Sequence, residues 1–244
     1  MPFAKVEDIK MYYQILGEGK PLLIIWGIGG ELPSLVKQLQ RELKGYQLII
    51  FDNRGVGRTD KPDIQYTIEM MAADTIGLMD ELGIESTEIL GISMGSRIAL
   101  TIAAKNPERV NSLILNVAAA RSPQKNNKNA AMAFEKLKIA VKDPQTLNAM
   151  GKYPPSEKSF LRLIDALERF DGTKLLKNIM APTVIINGTN DNSTPVKCAE
   201  ELKNKINNSK LILVNGDHFF VRTKPELLTK YIIEFLNEQI KLYN

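Results

Sequence analysis

Short apolar runs and longer amphipathic stretches alternate along most of this chain. Runs such as 21–26 and 46–51 are apolar at nearly every position, and 110–117 is apolar at most positions, which is typical of strands buried on both faces of a sheet. The stretch 68–82 instead has apolar residues at 68, 71, 72, 76, 79 and 82, the spacing of a helix with one buried face. This alternation predicts an α/β protein with a mostly parallel sheet covered by helices.

The ends of the chain fit the same scheme. Residues 3–9 and 11–16 are predicted to form two strands that pair as a hairpin-like edge, and residues 32–43 to form a helix. Towards the other end, strands are predicted at 182–187 and 211–214, and helices at 195–206 and 225–242.

Residues 121–181 interrupt the alternation. This segment is rich in lysine, helical in pattern and without a strand-like run, and proline or glycine breaks it near residues 143, 154 and 171. Both of its ends lead into predicted core strands. We therefore predict an α/β core of residues 1–120 and 182–244, with residues 121–181 inserted as a helical cap; an independent helical domain is the alternative.

A serine between two glycines follows one of the predicted strands. Ser93 lies in the pattern G-x-S-x-G with Gly91 and Gly95, after a short predicted strand at 86–90 and before a helix that is expected to end near residue 106. This is the form of a nucleophile elbow, in which small residues let strand and helix approach closely around a strained serine. The alternative is a glycine-rich turn with a capping serine.

A serine hydroxyl needs a base, and the base needs a group that orients it. His218 is the sole histidine of the chain and follows the last predicted strand. Asp191 follows the strand at 182–187, so both side chains are expected at the carboxyl edge of the sheet, where open α/β sheets place their sites. Asp191 is favoured as the orienting acid over Asp217, because neighbouring side chains on a loop often diverge.

Asp191 also has a structural alternative as a turn former or helix N-cap. Ser193 or Thr194 could take the capping role instead, which would leave Asp191 free for His218.

An oxyanion formed at the attacked carbonyl needs backbone N–H donors. Met94, just after the serine at a helix start, is expected to supply one N–H. The turn at 26–30 is expected to supply the second from Ile28. A flexible turn is the alternative, whereas neither common phosphate-loop pattern is present in that turn.

Composition narrows the classes of function. The 244 residues are 44% hydrophobic and 25% charged, with a net charge of +4 spread along the chain. Without clustered basic residues or aromatic platforms, nucleic-acid binding is not expected. No apolar run is long enough to span a bilayer and the first ten residues lack a signal core, so we expect a soluble, cytoplasmic protein. The single cysteine, Cys198, excludes an internal disulfide.

Five stretches together resemble the α/β-hydrolase superfamily, and specifically its capped, single-domain branch of esterases, lactonases and haloperoxidase-like enzymes. They are residues 26–30, 52–59, 91–95, 188–195 and 216–218, and the order serine, aspartate, histidine agrees. The resemblance implies an α/β-hydrolase fold: a mostly parallel eight-stranded sheet flanked by helices, with a helical cap between strands six and seven. It implies no cofactor and no metal. The D-x-R-G-x-G stretch at 52–59 is interpreted as structural.

One residue departs from that branch, because Trp26 stands where the family usually has a histidine before the oxyanion glycine. The substrate pocket is expected to involve aromatic side chains, and the candidates are Trp26, Phe134, Tyr153, Phe160 and Phe219. The alternative for those of the insertion is that they form the cap's own core.

The favoured hypothesis is a serine hydrolase that cleaves a small carboxylic ester or lactone through an acyl-enzyme. Ser93, His218 and Asp191 would form its catalytic triad. One alternative is a ligand sensor on the same fold with vestigial turnover. The other is a cofactor-free perhydrolase or haloperoxidase activity. The sequence implies a small-molecule substrate and leaves the oligomeric state open.

Overall fold

One mixed sheet organises the protein, whose computed structural model describes residues 2–30, 32–123, 128–150 and 152–243. Its strands follow the order β1-β2-β4-β3-β5-β6-β7-β8. The pairs β1–β2 and β2–β4 are antiparallel, and the other neighbours are parallel. The predicted eight-stranded, mostly parallel sheet is therefore confirmed. The strands are β1 (Phe3–Val6), β2 (Ile9–Leu16), β3 (Lys20–Ile25), β4 (Tyr46–Phe51), β5 (Thr87–Ile92), β6 (Val110–Asn116), β7 (Thr183–Gly188) and β8 (Ser209–Val214).

Helices cover both faces of this sheet. They are α1 (Pro33–Glu42), α2 (Ile68–Glu81), α3 (Met94–Lys105), α4 (Lys128–Ala140), α5 (Pro144–Asn148), α6 (Glu157–Arg169), α7 (Val196–Lys205), α8 (Phe220–Thr223) and α9 (Pro225–Tyr243). Side chains of α2, α3 and α7 belong to one apolar cluster, and those of α1, α8 and α9 belong to another. Within the described part of the chain, no helix is both long and apolar enough to cross a membrane.

Strand β3 shows how the two clusters are separated. Leu23 and Ile25 point into the cluster with α2 and α3, whereas Leu22, Ile24 and the following Trp26 point into the cluster with α1 and α9. Successive side chains of a strand alternate between faces, so a strand with helices on both sides is apolar throughout. This explains why the buried strands lack a polar alternation in the sequence.

The N-terminal strands differ slightly from the prediction. The strand predicted over 3–9 ends at Val6, because Glu7 adopts a φ of 48° and turns the chain. Strand β2 then begins at Ile9. The break between the two strands, which was predicted at residue 10, therefore lies at residues 7–8. The short helix α8 was not predicted.

The helices α4, α5 and α6 lie between β6 and β7, within the segment 121–181 that was predicted as the insertion. Helix α6 has two buried faces: Leu163 and Leu167 pack with the main core, whereas Phe160 and Ile164 pack with a separate cluster that includes Val141. The inserted segment is thus anchored to the core through one helix and has an apolar interior of its own.

The stretch 52–59 stabilises the loop after β4. Arg54, which is 2% exposed, donates hydrogen bonds to Asp74 on α2 and to Asp8 in the β1–β2 turn. A Cβ atom added at Gly57, whose φ is 58°, would collide with the carboxylate of Asp52. These contacts agree with the structural role that was assigned to this stretch.

Candidate active site

The turn from β5 into α3 lifts Ser93 out of the sheet. Ser93 has φ 54° and ψ −112°, a region that side chains with a Cβ rarely occupy. Its N–H still donates to Asn116 O at 2.9 Å, which ties the elbow to β6. A Cβ atom at Gly91 would lie 2.6 Å from the carbonyl oxygen of Gly95, and one at Gly95 would collide with the backbone of β3. The two glycines thus permit the close approach of strand and helix.

Ser93, His218 and Asp191 lie in one chain of hydrogen bonds. Ser93 Oγ is 3.0 Å from His218 Nε2, and His218 Nδ1 is 2.8 Å from Asp191 Oδ2. Because an ionised carboxylate only accepts hydrogen bonds, the proton belongs on Nδ1 and Nε2 is free to accept the serine proton. The structure therefore brings together the three residues that the sequence singled out.

Asp191 is held by four donors. Its Oδ1 accepts the N–H groups of Ser193 and Thr194, both at 2.8 Å, and its Oδ2 accepts the Thr194 hydroxyl at 2.6 Å as well as His218. Burial by itself would raise the pKa of the Asp191 carboxyl. The hydrogen bond and charge of His218 and the hydrogen bonds of Thr194 have the larger combined effect, so the pKa is lowered. The side chain is fully buried and remains an anion beside the imidazole.

The structure separates the two candidate acids. Asp217 accepts the N–H of Phe219 at 2.9 Å and is exposed, whereas Asp191 reaches the imidazole. The expectation that Ser193 or Thr194 caps the next helix is wrong. Pro195 is the N-cap residue of α7, with no side-chain cap, since Thr194 donates its hydroxyl to Asp191.

The turn after β3 lies directly beside Ser93. A Cβ atom at Gly27 would be 3.3 Å from Ser93 Cβ, and Gly30 N–H donates to Gly27 O at 3.1 Å to close the turn. Within the described residues, the backbone N–H groups of Ile28 and Met94 make no hydrogen bond to protein. Ile28 lines the same cavity as Ser93, whereas Met94 follows Ser93 directly and begins a helix whose dipole favours negative charge at that end.

A cavity with two lobes opens at the serine and histidine. The larger lobe, about 440 Å³, and the smaller, about 120 Å³, share Ile28, Gly29, Ser93, Met150, His218, Phe219 and Arg222. The larger lobe is otherwise mainly apolar and is lined by Phe134, Leu137, Phe160 and Leu167 from the inserted helices and by Met94, Arg97, Ser193 and Thr194 from the core. Ser93 therefore opens into a mainly apolar space.

Three of the five predicted aromatic residues, Phe134, Phe160 and Phe219, line that lobe. Trp26 does not: it is 1% exposed and packs with α1 and α9, because its position continues the β3 alternation onto the far face. Tyr153 also lies outside both lobes, since it is 44% exposed and packs beside the guanidinium of Arg58. The expectation that these two residues line the pocket is therefore wrong.

Sequence reasoning missed two supporting residues. Thr194 was considered only as a cap, yet it holds Asp191. Asn53 is 2% exposed, and its amide donates to Trp26 O at 3.2 Å, which braces the oxyanion turn from behind. Both are ordinary loop residues by type, so only their position in the fold identifies them.

A metal centre is not assembled by these residues. Across the described ranges, no group of three histidine, cysteine or acidic side chains is placed to hold an ion. His218, the sole imidazole, is already bonded to Ser93 and Asp191.

A strained serine elbow, a hydrogen-bonded histidine and aspartate, and a sheet of this order are the defining features of an α/β hydrolase. The family model described as "alpha/beta hydrolase fold" matches residues 20–170. The chain therefore belongs to the α/β-hydrolase fold family.

Relatives extend over nearly the whole chain. A protein of Azorhizobium caulinodans named for carbamate hydrolysis, RutD, is 25% identical and covers 98% of this chain and 99% of its own. A Mycobacterium tuberculosis protein named for non-heme bromoperoxidase activity, BpoC, is also 25% identical, with 93% and 97% covered. The enol-lactonase of Burkholderia xenovorans LB400 has a TM-score of 0.82 at 24% identity, with 97% and 100% covered, and shows the shared fold.

Proposed function

We propose that this α/β hydrolase cleaves a small carboxylic ester or lactone through a covalent acyl-enzyme. The observation that carries the proposal is the unbroken chain of hydrogen bonds from Ser93 through His218 to Asp191, which opens into a mainly apolar cavity. A serine hydroxyl in that arrangement is activated for attack on a carbonyl carbon.

The steps follow from the positions of the groups. Ser93 Oγ attacks the carbonyl carbon while His218 Nε2 takes its proton, and the N–H groups of Ile28 and Met94 hold the oxyanion. The imidazolium, which Asp191 stabilises, returns the proton to the departing alkoxide. Water then attacks the acyl group with His218 again as the base, which releases the acid and restores the serine.

The test measures turnover of p-nitrophenyl acetate by the wild type and by His218→Ala. Because the chain holds no second imidazole, we expect the variant to lose at least about a thousandfold in kcat, as triad removals do elsewhere. Asp217→Asn is the matched control, since its carboxylate contacts only a backbone N–H of its own loop. Full activity of His218→Ala would exclude the proposed base.

The same three residues also suit two other reactions, the hydrolysis of a carbamate and a peroxide-dependent side activity. The likeness to RutD favours carbamates as a second substrate class, because attack on a carbamate carbonyl uses the same nucleophile and oxyanion donors. The likeness to BpoC favours a peroxide-dependent side activity, which the sequence also suggested. Side-by-side rates with ester, lactone, carbamate and peroxide–bromide, each against Ser93→Ala, rank these chemistries. A ligand sensor would show turnover below about one per minute with all of them, far below the usual enzyme range.

A further inference from the structure

One buried arginine lines the cavity but has no part in the mechanism proposed above. Arg97 is 3% exposed and lines the larger lobe together with Ser93 and Met94. It is the fourth residue of α3, about one helical turn beyond Met94. Arg97 therefore lies on the same helix as Met94 and lines the lobe into which Ser93 opens.

The partners of Arg97 leave its charge without a counter-ion. Its Nη1 donates to the carbonyl of Leu167 on α6, and its Nη2 lies 3.5 Å from the carbonyl of Arg121. Neither acceptor is charged, and no carboxylate in the described part of the chain forms an ion pair with it. These two bonds use two of the five N–H donors that a guanidinium carries.

The surroundings of Arg97 do not neutralise it. Burial lowers the pKa of Arg97 to about 10, which still leaves it protonated at neutral pH. Cys198 faces it, but burial raises the pKa of that thiol to about 11, so the thiol is uncharged. No aspartate or glutamate is among the described residues that line the lobe. An unpaired buried charge is unfavourable unless something of opposite charge joins it.

We propose that Arg97 binds a carboxylate on the substrate, so that the preferred ester or lactone carries a free acid on its acyl portion. The proposal rests on the ester or lactone hydrolysis proposed above. The acyl chain would extend from Ser93 along the apolar wall of the lobe, and its terminal carboxylate would meet the guanidinium. A planar fork of N–H donors is suited to a carboxylate, which accepts two parallel hydrogen bonds.

A structural role is the competing explanation. The two carbonyl bonds of Arg97 tie α3 to the inserted segment, and a brace of that kind would support folding without contacting substrate. The two explanations differ in what a substitution changes. A brace affects all substrates equally, whereas a carboxylate-binding residue affects only those that carry the acid.

The experiment compares mono-4-nitrophenyl adipate with 4-nitrophenyl hexanoate, two esters with six-carbon acyl chains that differ by the terminal carboxylate. For the wild type we expect kcat/KM to favour the adipate ester by about tenfold or more. In Arg97→Met the adipate-to-hexanoate ratio should fall by about 30-fold or more, as expected when a buried charge pair loses one partner. Arg97→Lys, which keeps the charge without the fork, should give an intermediate ratio.

Arg222→Met tests the rival cation, because Arg222 is exposed and lines the same lobe. Arg41→Met is the matched control, because Arg41 is exposed on α1 and lies outside both lobes. Both variants should retain the wild-type ratio within about threefold. A collapse of the ratio in Arg222→Met alone, or an equal loss on both esters in Arg97→Met, would overturn the proposal. If Arg97→Met does not fold, the adipate-to-hexanoate ratio of the wild type is the test. A wild type that hydrolyses both esters with equal kcat/KM would overturn the proposal.

The same assay separates failure of this inference from failure of the proposed function. Hydrolysis of the hexanoate ester as fast as the adipate ester leaves the hydrolase intact and removes the role of Arg97. Absence of turnover on both esters, with no covalent labelling of Ser93, would instead contradict the hydrolase itself.

Discussion

Thr194 offers the most specific perturbation of the triad, because its hydroxyl can be removed with little change of shape. Thr194→Val deletes the 2.6 Å hydrogen bond to Asp191 Oδ2 and leaves the two backbone donors and His218 in place. A hydrogen bond to a charged group contributes about 1.5–3 kcal/mol. Since three donors remain, we expect a loss near the lower end, about 1.5–2 kcal/mol in the free energy of unfolding.

The catalytic loss should be of similar size. A less firmly held carboxylate orients and stabilises the imidazolium less well, and about 1.4 kcal/mol in the barrier is a tenfold change in rate. We expect kcat/KM for p-nitrophenyl acetate to fall about tenfold, well short of the roughly 10⁴-fold loss seen when a triad acid is removed. Thermal unfolding should shift downwards by about 3–8 °C for a chain of this size.

Thr173→Val is the matched control. Thr173 also donates its hydroxyl to an aspartate, Asp171 Oδ1, at 2.6 Å, but this carboxylate is exposed to solvent. Its loss should cost less than about 1 kcal/mol and leave kcat/KM unchanged, because solvent replaces the bond. If Thr194→Val behaves like Thr173→Val in both assays, the reasoning about the buried carboxylate is refuted.

The pH dependence provides a second check on Thr194. The pKa of Asp191 is lowered in the folded state, so its ionised carboxylate stabilises the fold above the unfolded value of about 3.9. That contribution is lost as the pH falls through the lower, folded value. The difference in free energy of unfolding between wild type and Thr194→Val should therefore be constant near neutrality and shrink below about pH 4.

Three further predictions concern the triad acid, the elbow and the loop after β4. Asp191→Asn should lower kcat for p-nitrophenyl acetate by about 10⁴-fold, since the imidazole loses the acceptor that fixes its tautomer. Gly95→Ala should lower the free energy of unfolding by about 3 kcal/mol or more, because its Cβ would collide with the backbone of β3, as denaturant titration would show. Arg54→Met should cost about 3–5 kcal/mol in the same titration, since it leaves the carboxylate of Asp74 buried without a partner.

Each of these three predictions has a result that would contradict it. Asp191→Asn with more than a tenth of wild-type kcat would show that another group orients His218. Gly29→Ala is the reference for the elbow glycine, because a Cβ there meets nothing within 4 Å. Equal stability losses in the two glycine variants would remove the packing argument. Arg109→Met is the reference for Arg54, since its partner Asp80 is exposed, and equal losses there would show that burial is irrelevant.

Much of the fold is predictable because its strands are buried on both faces and its turns are marked by glycine or proline. Strand β4 matches its apolar run residue for residue, and α3 ends at Lys105, with Asn106 as its C-cap residue just before a proline, as expected. The β1–β2 turn was misplaced because nothing in the sequence marks Glu7 for a positive φ.

The triad was predictable for a different reason. Ser93 carries a pattern that specifies backbone geometry, and a chain with one histidine leaves no choice of base. Trp26 was misassigned because the face to which a strand residue points depends on the register of β3 in the sheet. Asn53 and Arg97 were missed because their contacts join distant parts of the chain, which residue type and local spacing do not encode. Thr194 lies only three residues from Asp191 and was missed because it was considered only as a helix cap.

The central claim is that Ser93 is a nucleophile activated by His218. A fluorophosphonate probe followed by intact-mass and peptide mass spectrometry tests it most directly, because the probe reacts far faster with an activated serine than with ordinary side chains. The account predicts one adduct per chain, located on Ser93, absent in Ser93→Ala and formed at least about a hundredfold more slowly in His218→Ala. An adduct on another residue, or an unchanged labelling rate in His218→Ala, would contradict it.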